Sequence, residues 1–325
     1  MRPGHSLGAA LVVIAALAAG RAADAQEWPT RSILVISPFN AGTMNDIVAH
    51  DILDPVGSQI GQSVLLENRP GGAGTVGVSA VVKAQPDGYT LLLSTWALSA
   101  AVILHKSLPY DTLQDLAPVA MFGGEPCMLM ASPGKGYNTV ADLVSAAKAN
   151  PGKIKFASVG IGSASHIAGE RFRVLAQVDV LHVPYPGPGE ALTDLTAGRV
   201  DFYFVPVTPA LPLISEGRAV PLAVSTPQRL QSLPGLPTLA ESGYSSLNFL
   251  TWFGLSAPAK TPRDIIDKLN AAVGKSLNLP AVRTKLLRIG VVPLPMSPEQ
   301  FTTFFTDDVA AMIKLGQDAH IAPLN

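Results

Sequence analysis

The chain contains a single cysteine, Cys127. No disulfide can form within it, and no cysteine stands near the amino terminus to take a lipid anchor. No histidine or cysteine pair has the spacing of a zinc site, so neither a metal nor a cofactor is expected. Charge is scarce as well. Charged residues make up 14% of the chain, with 23 basic against 24 acidic side chains and a net charge of −1. Aromatic residues are only 6%, and no basic stripe interleaves with them, which excludes nucleic acid as a partner. Beyond residues 1–25, no apolar run approaches the length of about 20 residues that spans a bilayer.

The amino-terminal residues read as a signal peptide. Arg2 precedes an uncharged apolar stretch, residues 7–19, and Ala23-Asp24-Ala25 offers a small-residue cleavage site. Arg21 and Asp24 cut the stretch too short for a membrane span. Cleavage after Ala25 would start the mature chain at Gln26 and place it in the periplasm. It would also leave 21 basic against 23 acidic side chains. About 300 residues remain, which suits two domains rather than one. The 29 glycines and 28 prolines put tight turns between apolar elements. A soluble monomer is expected.

Strand-like and helix-like stretches alternate. Residues 33–36, 64–67, 90–94 and 128–130 read as strands, as do 155–158, 179–183, 200–205 and 220–225. Thr139 and Asp142 form a capping box that opens a helix, and Asn150-Pro151-Gly152 stops it. Thr261-Pro262-Arg263-Asp264 reads as a second start with a Thr cap, and Ser297-Pro298-Glu299-Gln300 as a third. This order predicts an α/β protein with a parallel, doubly wound sheet in each domain and ligands at the carboxyl ends of strands.

Two loops stand out at such ends. One is Pro38-Phe39-Asn40-Ala41-Gly42-Thr43-Met44-Asn45-Asp46; the other is Ser158-Val159-Gly160-Ile161-Gly162-Ser163-Ala164-Ser165-His166. Each follows an apolar strand and precedes helical apolar spacing, so backbone N–H groups point outward from a helix start, a ready anion site. Neither loop contains Lys or Arg. Two such sites about 120 residues apart imply two lobes closing on one carboxylated ligand.

A series of short motifs carries a resemblance along the whole mature chain. It runs from Trp28-Pro29-Thr30-Arg31 through Glu67-Asn68-Arg69-Pro70-Gly71, Pro86-Asp87-Gly88-Tyr89 and Leu108-Pro109-Tyr110-Asp111. It continues with His182-Val183-Pro184-Tyr185 and Trp252-Phe253-Gly254-Leu255. In this the chain resembles the substrate-binding proteins of tripartite tricarboxylate transporters, the Bug/TctC family. The resemblance implies a type II periplasmic binding protein: two doubly wound α/β lobes joined by crossing strands, with a ligand cleft between them. Lobe 1 would comprise residues 26–128 and 251–325, and lobe 2 residues 129–250. It also implies a non-enzymatic receptor that hands a small carboxylate to integral-membrane permease subunits.

The implied ligand-binding residues fall in four places. The first loop supplies Phe39, Ala41, Gly42, Thr43, Met44, Asn45 and Asp46, with Asp46 ordering its own loop. The second supplies Ser158, Gly160, Gly162, Ser163, Ala164 and His166, with the Ser163 hydroxyl and nearby N–H groups as the main anion donors. Thr95 and Trp96 follow the third strand. Tyr185 and Val205 complete the set. Three positions depart from the family pattern: Thr43 replaces a second glycine, Pro186 replaces a frequent lysine, and an aspartate common near Val205 is missing. Trp96 with Met44 could line a flat apolar slot, which points to an aromatic mono- or dicarboxylate.

Other readings are weaker. Gly72-Ala73-Gly74-Thr75-Val76-Gly77 matches a dinucleotide fingerprint but is cut off from its strand and lacks the ribose-binding acid, so a glycine-rich helix start is expected. An α/β hydrolase would need a nucleophile elbow, and neither Ser163 nor Ser165 has the flanking glycines. His166 is expected to fix its loop, Cys127 to pack in the core, and Trp252 and Phe253 to pack in the core or hinge. A receptor feeding a sensory system uses the same closure and stays open as an alternative.

Overall fold

The computed structural model describes residues 28–247, 249–321 and 323. The expected signal peptide and its cleavage site lie outside the described residues.

The first lobe starts with three parallel strands, β1 (Ile33–Ser37), β2 (Val64–Asn68) and β3 (Thr90–Thr95). Helices α1 (Met44–Ile60) and α2 (Thr75–Val82) make the crossovers. β1 and β3 are buried almost throughout, as strands covered on both faces are. Ile33, Val35, Ile52, Leu53, Leu91 and Leu93 bury completely or nearly so in one cluster. Each such side chain contributes about 1.5–3 kcal/mol of transfer free energy.

The second lobe repeats the plan. α4 (Val140–Ala149) leads into β5 (Lys155–Ser158), and α5 (Ala164–Ala176) leads to β6 (Leu181–Pro184). α6 (Pro188–Thr196) then returns the chain to β7 (Phe202–Pro206), and α7 (Val207–Ser215) to β8 (Val220–Val224). β5 pairs in parallel with both β6 and β7. An apolar stack of Phe156, Phe172, Phe202 and Phe204 fills its core.

Two strands join the halves. β4 (Leu116–Ala131) pairs with β9 (Leu250–Pro258) over its first part, then with β7 and β8 from Cys127 onward. The sheet order is β2-β1-β3-β9-β4-β7-β5-β6. The parallel part of each lobe is therefore three strands, and β4, β8 and β9 run antiparallel to their neighbours. Pro126 sits where β4 changes partners, a position that tolerates a missing N–H. Gly123 has φ +148°, and a Cβ there would lie 2.3 Å from the Val292 carbonyl of β10 (Val292–Pro293), so the short strand approaches only because this residue is glycine.

Helices also tie the halves together. α8 (Arg263–Leu277) and α9 (Pro280–Arg288) cover lobe 1. α10 (Pro298–Ala319) buries Phe301, Phe305 and Val309 beside Trp252, then Met312 and Leu315 in the cluster that holds Phe172 and Phe204. α3 (Trp96–Leu104) likewise splits its apolar side chains between the two clusters. Ser297 and Gln300 form the expected capping box of α10, and Thr139 with Asp142 that of α4. Thr261 does not cap α8. Its hydroxyl donates to the Pro258 carbonyl at 2.8 Å, and Pro262 takes the cap position, because a bond back into the β9 turn competes for the same oxygen.

Candidate anion-binding cleft

Strand register places the two signature loops opposite each other. Thr95, the last residue of β3, pairs with Phe253, which pairs with Gly123 of β4. Pro206, the last residue of β7, pairs with Cys127 of β4. β3 points along β4 toward Cys127, whereas β7 runs the other way toward Gly123. The carboxyl ends of the two parallel sets therefore face one another across four residues of β4, about 13 Å at the usual rise of a strand. β1 runs beside β3 and β5 beside β7, so the loops that follow them flank this gap.

The first loop is built from below. Asp46 is buried; one carboxylate oxygen accepts the Gly42 N–H at 2.8 Å and the other the Asn68 side chain at 2.7 Å. Asn68 also donates to the Phe39 carbonyl at 3.2 Å. Gly77 of α2 packs so close that a Cβ would meet the Pro38 Cα at 2.8 Å and the Arg69 carbonyl at 2.9 Å, the structural use of the glycine-rich helix start. Thr43 occupies the N-cap of α1, but its hydroxyl makes no cap bond and is buried without a partner. The N–H groups of Met44 and Asn45 have no acceptor among the described residues. Phe39 and Met44 are half-buried, and Ala41 and Gly42 are exposed at the rim.

The second loop is more tightly bonded. Ser163 caps α5, accepting the His166 N–H at 3.3 Å, and its own hydroxyl donates to the Gly160 carbonyl at 2.7 Å. Gly162 N–H donates to His166 Nδ1 at 3.2 Å, Gly160 N–H to Ser158 Oγ, and Val159 N–H to Ser165 Oγ. Expected as the main anion donors, the Ser163 hydroxyl and the Gly162 N–H are thus turned inward. The N–H groups of Ala164 and Ser165, the first two of the helix, have no acceptor among the described residues, and neither does that of the exposed Ile161. Each loop therefore ends in a helix start with two free N–H groups and the positive end of a helix dipole.

Sequence reasoning did not reveal which hydroxyls were already spent. Thr95 is buried and caps α3 by accepting the Ala97 N–H. The Tyr185 hydroxyl donates to Asp194 at 2.8 Å. Val205 is wholly buried in the lobe 2 core, and Pro206 is the half-exposed residue at that strand end. Trp96 is half-buried, edge-to-face with Phe249 at 6.1 Å, and packs on both clusters. Trp252 is buried, its indole N–H bonded to Asp308 at 2.8 Å.

Neither loop carries a cationic side chain near neutrality. Burial pushes His166 and His182 down to about 4, so both stay uncharged near neutrality. Ser158 Oγ lies 2.6 Å from His182 Nε2, but the serine is wholly buried, out of reach of any scissile carbonyl. On the connecting strand β4, Glu125 is buried, and that burial raises its carboxyl to about 7. A separate groove of about 810 Å³ lies between Asn138–Ala141 and Ser232–Pro237, lined by none of the loop residues. The helix start there is closed by Asp142, which makes it hostile to an anion. Among the described residues no group of three or more His, Cys, Asp or Glu could hold a metal, and no helix is long and apolar enough to cross a membrane.

Comparison with known proteins accords with this geometry. The model of the tripartite tricarboxylate transporter family receptor matches residues 48–320. BugT of Bordetella pertussis is 33% identical over 300 residues, covering 92% of this chain and 91% of its own. The structure of R. palustris Rpa4515 with adipate superposes with a TM-score of 0.72 at 33% identity, over 92% of this chain and 100% of that one. MatC from Rhodopseudomonas palustris with bound malate gives 0.69 at 30% identity, over 89% and 99%. With its type II periplasmic-binding-protein fold, the chain belongs to the TctC family of solute-binding receptors.

Proposed function

We propose that this protein captures a small dicarboxylate between its two lobes in the periplasm and delivers it to the integral-membrane permease of a tripartite transporter. The observation that carries the reading is the pair of opposed helix starts, each with two free N–H groups: Met44 and Asn45 on α1, Ala164 and Ser165 on α5. One carboxylate sits at each. Adipate and malate, the ligands of two structural relatives, both carry two carboxylates. Export through residues 1–25 with cleavage after Ala25 belongs to the same reading.

The middle of the ligand meets Trp96, whose remaining exposed surface at the carboxyl end of β3 favours an aromatic diacid of the phthalate type. A thermal-shift panel of mono-, di- and aromatic carboxylates tests both levels, since a ligand that binds only the folded state raises the melting temperature. Dicarboxylates should give the largest shifts, with aromatic ones ahead of adipate. Larger shifts with adipate than with phthalate would leave the receptor reading intact and remove the aromatic one. No shift with any carboxylate would overturn the receptor reading.

A further inference from the structure

Beneath the second loop, three rings form a stack that the binding role does not use directly. Phe156 of β5 lies 4.8 Å from His182 of β6, and His182 lies 4.4 Å from His166 of α5. The two histidines do different work. His166 accepts the Gly162 N–H through Nδ1, so its ring proton is on Nε2. His182 meets Ser158 Oγ through Nε2 at 2.6 Å, and that hydroxyl accepts the Gly160 N–H at 3.1 Å and faces the Gly160 carbonyl at 3.2 Å. Gly160 itself is in the left-handed region, at φ +109°. The N–H groups of Val159, Gly160, Gly162 and Ser163 are consumed within the loop, and those of Ala164 and Ser165 at the helix start are left for the anion.

Resting on the proposed function, we propose that His182 is a positioning residue for the anion loop: acting through Ser158, it fixes the turn at Gly160, while neutral His166 holds Gly162. The charged groups around the pair are the Glu170–Arg173 ion pair on α5, and Tyr203 of β7 lies beside Ser165. Burial, with Arg173 adding to it, keeps His166 neutral, and burial together with His166 keeps His182 neutral.

The two contributions of His182 separate by substitution. His182→Phe keeps the ring stack and loses the bond to Ser158; His182→Gln keeps a polar atom near the Nε2 position and loses the stack. Adipate, malate and phthalate are titrated calorimetrically into the full-length mature protein and both variants, with unfolding temperatures measured without ligand. The best wild-type ligand should bind His182→Phe about tenfold more weakly, as the loss of one buried hydrogen bond implies, and His182→Gln should recover most of that loss. Nitrogen NMR of wild type should show both histidines neutral at pH 7, with His166 protonated at Nε2. Equal affinity in wild type and His182→Phe, or a weaker His182→Gln than His182→Phe at matched stability, would overturn the positioning role. Wild-type protein that binds none of the three acids would instead refute the receptor reading.

Discussion

Asn68 holds Asp46 by a 2.7 Å hydrogen bond, although β2 and α1 place the two residues on separate elements. With the Gly42 N–H on its other oxygen, the Asp46 carboxylate acts as an internal anion that shapes the first loop around itself. It is a brace for the loop, set below the free N–H groups rather than among them.

Asp46→Ala should therefore weaken both the fold and the site. Bonds to a charged group contribute about 1.5–3 kcal/mol each, and here the Asn68 amide and the Gly42 N–H lose their acceptor together. We expect a clear fall in unfolding temperature and a loss of affinity of tenfold or more, read by calorimetry. An unchanged affinity would show that the first loop is braced by other contacts.

Ser163→Ala should behave as the loss of a helix cap. The hydroxyl is committed to Gly160 and to the His166 N–H, so its removal costs about 0.5–2 kcal/mol of stability even without ligand. Chemical denaturation of the ligand-free protein measures this. A variant with normal stability and greatly reduced affinity would mean that the hydroxyl turns to face the ligand.

Glu125 should make stability depend on pH. Its folded value, about 7, lies above the ordinary 4.5, so the folded protein binds a proton that the unfolded chain does not. Its contribution is present in full below about 4.5 and is lost as the pH rises through 7, an effect on the order of 3 kcal/mol. The histidines act in the opposite sense. Unfolded histidine takes a proton near 6.5 and the native pair only near 4, so acidification across that window destabilises the fold. Glu125→Gln should be more stable than wild type above pH 7 and should flatten the alkaline side of the profile. Denaturation curves from pH 4 to 9 decide this.

Cys127 should be inert in the native state. It is buried, and burial with Glu125 nearby pushes the thiol up to about 12, so almost no thiolate forms near neutrality. An aromatic disulfide reagent should react with it only after denaturant is added. Rapid native labelling would mean that β4 opens at the point where it changes partners.

The sequence made the parallel strands, both loops and two of the three helix caps legible, because apolar runs, turn residues and capping boxes are local signals. β4 was legible only at residues 128–130. Gly123, Gly124 and Pro126 argue against a strand by propensity; the glycines are tolerated because β10 and β9 approach closely, and Pro126 because β4 changes partners there. Thr261 looked like a cap and lost its hydroxyl to the β9 turn. The fate of Ser163, Gly162 and Tyr185 was hidden for another reason: the acceptors their N–H and O–H groups find are chosen by tertiary packing, which spacing along the chain does not encode. The same holds for α10, whose uniform amphipathic pattern gave no sign that its two ends would pack in different cores.

Closure of the cleft should be visible in solution. A ligand gripped by both lobes favours a form in which they approach, so small-angle scattering with a saturating diacid should show a smaller radius of gyration than without it. No compaction would indicate a preformed pocket.

The central claim is that two opposed helix starts each hold one carboxylate. Calorimetric titration with adipate and with hexanoate, equal in carbon count but differing by one carboxylate, tests it most directly. The account predicts that adipate binds at least tenfold more tightly, since a charge-assisted bond to helix N–H groups is present only in the diacid. Equal or tighter binding of hexanoate would contradict it.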